Sequence, residues 1–251
     1  MTLHISVFSG AGQLAAALTD DVAQRLRRAP TLVLGLPTGR TPLGFYRRLV
    51  HVSRAAGADF SHATTFNLDE FLGVGPGEPG SYRQYMERHF FRHINIDRRR
   101  IHFLDGAAAD PRAECERYEA AIAAAGGLDL QVLGIGANGH IGFNEPAERL
   151  AARTHVVRLR PGTRQANAAL FGGDVARVPR HALSMGMATI LHARSIVLMA
   201  TGGEKAACVS AMVDGPLTTR TPASFLQLHP DVHVMLDQAA ARKLRTDHAG
   251  G

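Results

Sequence analysis

The chain contains no tryptophan, only two cysteines and only 6% aromatic residues in its 251 positions. Cys115 and Cys208 are too few for a disulfide framework or a cysteine metal site, and their Ala- and Gly-rich helical settings suit packed thiols. No stretch approaches the ~18 consecutive apolar residues of a membrane span. The opening M-T-L-H-I-S-V-F lacks the charged and apolar regions of a secretion signal. A cytoplasmic protein that neither crosses nor lies on a membrane is expected. Repeats, low-complexity tracts and linkers are also lacking. One α/β domain over residues 1–251 is therefore expected, with a polar tail at 242–251 that frays.

Lysine is nearly missing too: all but Lys205 and Lys243 of the 28 basic residues are arginine. The net charge of +6 is scattered, and no aromatic stacking pattern accompanies it. Its densest run, Arg98–Arg100, reads as a solvated turn, so nucleic acid is not an expected partner and a small anionic substrate is favoured.

What is present is an alternation. Apolar runs of strand length recur at Ile5–Phe8, Leu32–Leu36, Thr64–Leu68, Leu130–Ile135, Ser195–Ala200 and Val232–Leu236. Helical periodicity separates them at Ala11–Arg28, Pro42–Ala56, Ser81–Arg92, Pro111–Ala125, Gln165–Ala169 and Glu204–Val213. This order predicts a mostly parallel central sheet with helices on both faces. Ligands of such sheets bind outside the carboxyl ends of the strands, and the polar motifs of this chain fall there.

After the second predicted strand comes P-T-G-R-T-P, comprising Thr38, Gly39, Arg40 and Thr41, and then a helix. Unpaired backbone N–H groups and the positive end of the helix dipole make that junction suited to an anion. The third strand ends in Asp69 and Glu70, which point to opposite sides of an extended chain, so only one is expected to face a crevice. Such a carboxylate can act as a base. The stretch L-G-I-G-A-N-G-H-I-G-F-N-E-P, Leu133–Pro146, embeds Asn138, His140 and Glu145 among four glycines. An imidazole exchanges protons near neutral pH, and Glu145 can orient or polarise it. Arg164 in T-R-Q-A-N and Lys205 in G-G-E-K-A can clamp a phosphate, as a fork and a point charge respectively. His89 and His93 have the i,i+4 spacing of a metal pair but lack a third ligand beside Phe90 and Phe91.

These segments, with S-Y-R-Q-Y-M-E-R-H-F-F and S-F-L-Q-L-H-P, resemble glucosamine-6-phosphate deaminase in register from about Leu32 to Leu244. The resemblance implies a Rossmann-like three-layer sandwich, shared with 6-phosphogluconolactonase. It also implies an isomerising enzyme, classed here with hydrolases, that turns glucosamine 6-phosphate and water into fructose 6-phosphate and ammonia without metal or organic cofactor. In that pattern Asp69 moves the proton between C2 and C1, and His140 opens the ring with Glu145 and Asn138. Thr38–Thr41, Arg164 and Lys205 hold the phosphate. Three departures stand out. Asn138 replaces the aspartate of many members, which is expected to alter the pH dependence. Arg40 replaces a glycine in P-T-G-G-T-P. Glu148, His155 and Val157 replace the serine and basic residues of allosteric members, so N-acetylglucosamine 6-phosphate is not expected to activate this chain. The motifs leave a galactosamine 6-phosphate enzyme open as an alternative. A sugar-phosphate sensor of the same fold also remains, as does the choice between monomer and homo-oligomer. A lactonase would be expected to carry G-H-T-A-S where this chain has G-H-I-G-F-N-E-P.

Overall fold

The computed structural model describes residues 3–245. In chain order its elements are β1 (His4–Phe8), α1 (Ala11–Arg28), β2 (Val33–Leu36), α2 (Leu43–Arg54), β3 (Thr64–Asn67), β4 (Asp69–Phe71) and α3 (Tyr82–His89). There follow β5 (Ile101–His102), α4 (Pro111–Ala124), β6 (Leu130–Gly134), β7 (His155–Arg158), α5 (Pro161–Asn167) and β8 (His181–Ser184). The chain closes with α6 (Met187–Leu191), β9 (Ser195–Ala200), α7 (Ala206–Val213), β10 (Val232–Asp237) and α8 (Gln238–Ala241).

Seven strands form one parallel sheet in the order β1-β10-β9-β6-β2-β3-β5. Strand residues on its two faces enter two separate cores. On one face α1 packs Leu14, Leu18, Val22 and Leu26, which recur at helical spacing, beside Phe45, Tyr46 and Leu49 of α2. On the other, α4 contributes Cys115, Tyr118 and Ile122, and α7 contributes Cys208, Val209 and Met212. The expected Rossmann-like three-layer α/β sandwich is therefore found. From β2 the chain runs outward to β3 and β5, whereas from β6 it runs the other way to β9 and β10. The switch point lies between β2 and β6, and sheets of this kind hold ligands beyond the carboxyl ends of the strands at that place.

A second sheet, β4-β8-β7, is antiparallel and was not visible in the sequence. Its strands are short, and β7 shows only the weak alternation of a strand with one exposed side. Leu68 alone separates β3 from β4: its N–H donates to Leu36 of the main sheet, and its carbonyl accepts from Met185 beyond the small one. Phe71, Tyr82, Phe143 and Phe171 give the small sheet its own aromatic cluster, with rings 4.8–5.5 Å apart about Phe71.

Element boundaries shift for local reasons. The helix expected over Ser81–Arg92 ends at His89: Phe90 leaves helical geometry at φ −143°, ψ −68°, and the chain continues as a short 3-10 turn with Phe90 and Phe91 both buried. Pro42, expected inside α2, precedes it, and its carbonyl accepts from Tyr46. The helix expected from Gln165 starts earlier, with Pro161 in its first turn. Arg98–Arg100 form a short surface turn in which Arg98 pairs with Glu87 and Arg99 with Asp97. Of the expected tail, Leu244 packs against the core and residues 246–251 lie outside the described residues. No helix among the described residues is long and apolar enough to cross a membrane.

Candidate active site

The loop Pro37–Pro42 follows β2 at the switch point and ends where α2 begins. Gly39 takes φ +109°, a conformation that favours glycine. The backbone N–H groups of Thr38, Gly39, Arg40 and Thr41 make no hydrogen bond among the described residues, whereas the carbonyls of Pro37 and Gly39 accept from the Tyr46 and Tyr85 hydroxyls. Consecutive free donors ahead of a helix N-terminus form an anion seat. Arg40 is exposed at its rim.

Asp69 opens β4, directly after the Leu68 junction. The residue is 7% exposed, and its carboxyl has no hydrogen-bond donor among the described residues. Burial, and secondarily the charge of Glu70, push its pKa up to about 8. Glu70 turns the other way, as the alternation required. Its carboxylate accepts from the backbone N–H groups of Phe71, Tyr82 and Arg83 and from Ser81 Oγ, at 2.8–3.0 Å. Glu70 is thus part of the cap of α3, alongside Ser81, and Asp69 alone is left for chemistry.

The loop after β6 holds the second group. Asn138 Oδ1 accepts from His140 Nδ1 at 2.7 Å and from the His140 backbone N–H at 3.2 Å, while Asn138 Nδ2 donates to Glu145 Oε2 at 2.8 Å. The backbone donor fixes the amide orientation. His140 therefore carries its proton on Nδ1, and Nε2 is the nitrogen free to exchange one. Glu145 Oε2 also lies 3.5 Å from His140 Nδ1. Its other oxygen accepts from Thr163 Oγ1 on α5. Burial raises the Glu145 pKa, but the contacts with His140, Thr163 and Asn138 outweigh it and hold the carboxyl at about 2. Gly136 is required beneath the imidazole: a Cβ there would come within 2.2 Å of the His140 ring.

Two contacts bring the base and the imidazole loop together. Ser184 pairs with Asp69 across the small sheet, and its Oγ accepts from Phe143 N–H at 3.0 Å. Asn144 Nδ2 donates to the Met185 carbonyl at 2.8 Å, and the Met185 N–H donates to the carbonyl of Leu68 at 2.8 Å. Lys205 follows β9 in the turn before α7, half-buried and without a side-chain partner among the described residues. Arg164 is the exception. Its guanidinium donates to the carbonyls of Val175 and Val178 at 2.6–3.1 Å, so it braces the turn within the small-sheet insertion instead of facing the anion seat. The expectation that it joins Lys205 in a clamp is not met in this conformation, because local carbonyls on the same insertion satisfy it first.

Thr163, Tyr46, Tyr82 and Tyr85 were not singled out from the sequence. Tyr82 donates to Asn167 of α5 at 3.0 Å and also neighbours Thr38. Thr163 had a signal in its place beside Arg164, and Tyr82 and Tyr85 in the motif S-Y-R-Q-Y-M-E-R-H-F-F, whereas Tyr46 had none. The His89 ring lies 4.8 Å from Tyr85, and His93 meets Arg54 and the Arg88 carbonyl, so neither histidine faces a shared ligand position.

The model of the family of glucosamine-6-phosphate isomerases and 6-phosphogluconolactonases matches residues 9–235. A glucosamine-6-phosphate deaminase of Halothermothrix orenii is 50% identical over 89% of this chain and 92% of the relative. Glucosamine-6-phosphate deaminase 2 of Bacillus subtilis is 48% identical over 93% of each chain. The structure of a monomeric glucosamine-6-phosphate deaminase superposes with a TM-score of 0.93 at 41% identity, covering 96% of this chain and all of that one. A 6-phosphogluconolactonase from Trypanosoma brucei, at 20% identity and a TM-score of 0.72, shares the fold. With a model match over most of its length and relatives near half identity, the chain belongs to the family of glucosamine-6-phosphate isomerases and 6-phosphogluconolactonases.

Proposed function

We propose that the protein converts glucosamine 6-phosphate and water to fructose 6-phosphate and ammonia, as an isomerising deaminase of amino-sugar breakdown. The observation that carries this reading is a buried, unpartnered Asp69 carboxyl on a strand whose partner Ser184 is tied to the loop of a histidine with Nε2 free, together with an anion seat after β2. The phosphate binds the N–H groups of Thr38–Thr41, with Arg40 and Lys205 as charges, and so fixes the sugar for proton transfer. Arg164 adds to this grip only by leaving Val175 and Val178.

His140 Nε2 exchanges a proton with the ring oxygen as the pyranose opens, while Asn138 and Glu145 hold its Nδ1 side. Asp69 then removes the C2 proton and returns it at C1, giving the enolamine and then the ketimine, which water hydrolyses to release ammonia. Water is consumed, which is what a hydrolase label would record, but the defining step is an aldose–ketose proton shift. A carboxyl poised near pH 8 suits that step, since it accepts and returns the proton at little cost. Two free, buried cysteines fit a cytoplasmic setting.

The test is release of ammonia and fructose 6-phosphate from glucosamine 6-phosphate, run beside galactosamine 6-phosphate to settle the epimer. Binding without turnover of either sugar would replace the enzyme with a sensor.

A further inference from the structure

Two tyrosines grip the anion seat from behind. Tyr46 of α2 donates its hydroxyl to the Pro37 carbonyl, and Tyr85 of α3 donates to the Gly39 carbonyl. In a trans peptide the carbonyl of one residue and the N–H of the next point in opposite directions. Holding the Pro37 oxygen back therefore aims the Thr38 N–H forward, and holding the Gly39 oxygen back aims the Arg40 N–H forward. Both of these N–H groups are unpartnered among the described residues.

Gly39 itself gives the loop freedom to turn: at φ +109° with nothing within 4 Å of where a Cβ would be, no neighbour packs it in place. A loop this open needs an external hold. Tyr46 is fully buried and serves the core as well, whereas Tyr85 is half-buried and its hydroxyl touches the loop alone. The helix that carries Tyr85 is fastened at its N-terminus by Glu70, the residue next to Asp69.

We infer that Tyr85 is a positioning residue for phosphate recognition, aiming the Arg40 N–H and, through α3, keeping the anion seat in register with the strand that bears Asp69. This rests on the reading of Thr38–Thr41 as the phosphate seat. Tyr85 touches no substrate atom. Its hydroxyl acts through the peptide between Gly39 and Arg40.

Tyr85→Phe keeps the ring beside His89 and removes only the hydroxyl. The probe is inorganic phosphate, its binding to the whole protein measured by calorimetry independently of turnover. Loss of one neutral hydrogen bond predicts phosphate affinity weaker by about threefold to tenfold. KM for glucosamine 6-phosphate should rise by a similar factor, with kcat within about twofold and an unchanged melting temperature. A variant that lost stability together with both kinetic constants would mark a merely structural tyrosine and overturn the inference. Equal phosphate binding by the two proteins would also overturn it, as would no binding by either. Weakened phosphate binding in a protein that released no ammonia would support the positioning while refuting the assigned reaction.

Discussion

Replacing Asp69 with asparagine should make the protein more stable, and increasingly so as the pH rises. The unfolded carboxyl ionises near the ordinary aspartate value of 3.8, whereas burial in the fold lifts it to about 8. Between those values the folded state holds a proton that the unfolded state has released, so stability falls as pH rises by ~1.4 kcal/mol per pH unit and levels off above about 8. At pH 7 the full difference approaches ~4 kcal/mol, an upper bound because water penetration and relaxation relieve buried charge. Half of it, ~2 kcal/mol, corresponds to a melting temperature about 4–8 °C higher in a chain of this size. The amide of the Asp69→Asn variant cannot ionise, so its stability lacks this component. The assay is thermal unfolding of both proteins from pH 4 to pH 9. The melting-temperature difference should be small near pH 4, widen toward pH 8 and then hold constant, while other titrating groups cancel. Parallel curves for the two proteins would refute the argument, because they would mean that Asp69 ionises in the fold as it does in water.

If Asp69 is the base, kcat/KM for the unaltered protein should rise with pH and level off near 8, a profile read from initial rates. Asn138→Asp would set a second carboxylate against Glu145 Oε2, now 2.8 Å from the amide nitrogen, and should raise the Glu145 pKa. The acid limb of the kcat profile should then move upward, and an unmoved limb would count against the triad. Thr163→Val frees one oxygen of Glu145 and should lower kcat about tenfold to a hundredfold with little change in KM, on the scale of one charge-assisted hydrogen bond. N-acetylglucosamine 6-phosphate should leave the saturation curve hyperbolic and unshifted. His155 Nδ1 faces the Arg153 carbonyl and Val157 packs in the small-sheet cluster, so neither offers a cation. Activation by that sugar would disprove this.

The main sheet was legible because parallel strands buried on both faces are continuous apolar runs, as in Ser195–Ala200, and because α1 shows a clean helical stripe. The loop after β6 was legible as a candidate site because histidine, asparagine and glutamate between glycines have few other uses. The small sheet was hidden: β4 is three residues long and continues β3 after one intervening residue, so it reads as the end of the same strand. Long-range partners set the rest. That Arg164 would be held by Val175 and Val178, or that Tyr85 would reach Gly39 across 46 positions, has no local periodicity to announce it. The roles of Asp69 and Glu70 fall between these cases. Alternation predicted that they part company, but only α3 decides which carboxylate is held.

The single-residue link at Leu68 places Asp69 on the lesser of the two sheets, and this separates the lifetime of the activity from that of the fold. The small sheet closes over nine buried apolar residues, whereas the two clusters flanking the main sheet are far larger. Such a unit opens locally at a lower free energy than the whole. Each opening carries Asp69, the base in the proposed reaction, away from the imidazole loop while the seven-stranded sheet stays intact. Amide protons of β7 and β8 should therefore exchange with solvent ahead of those in β6 and β9. On warming, turnover should fade at a temperature where far-ultraviolet dichroism still reports a native chain.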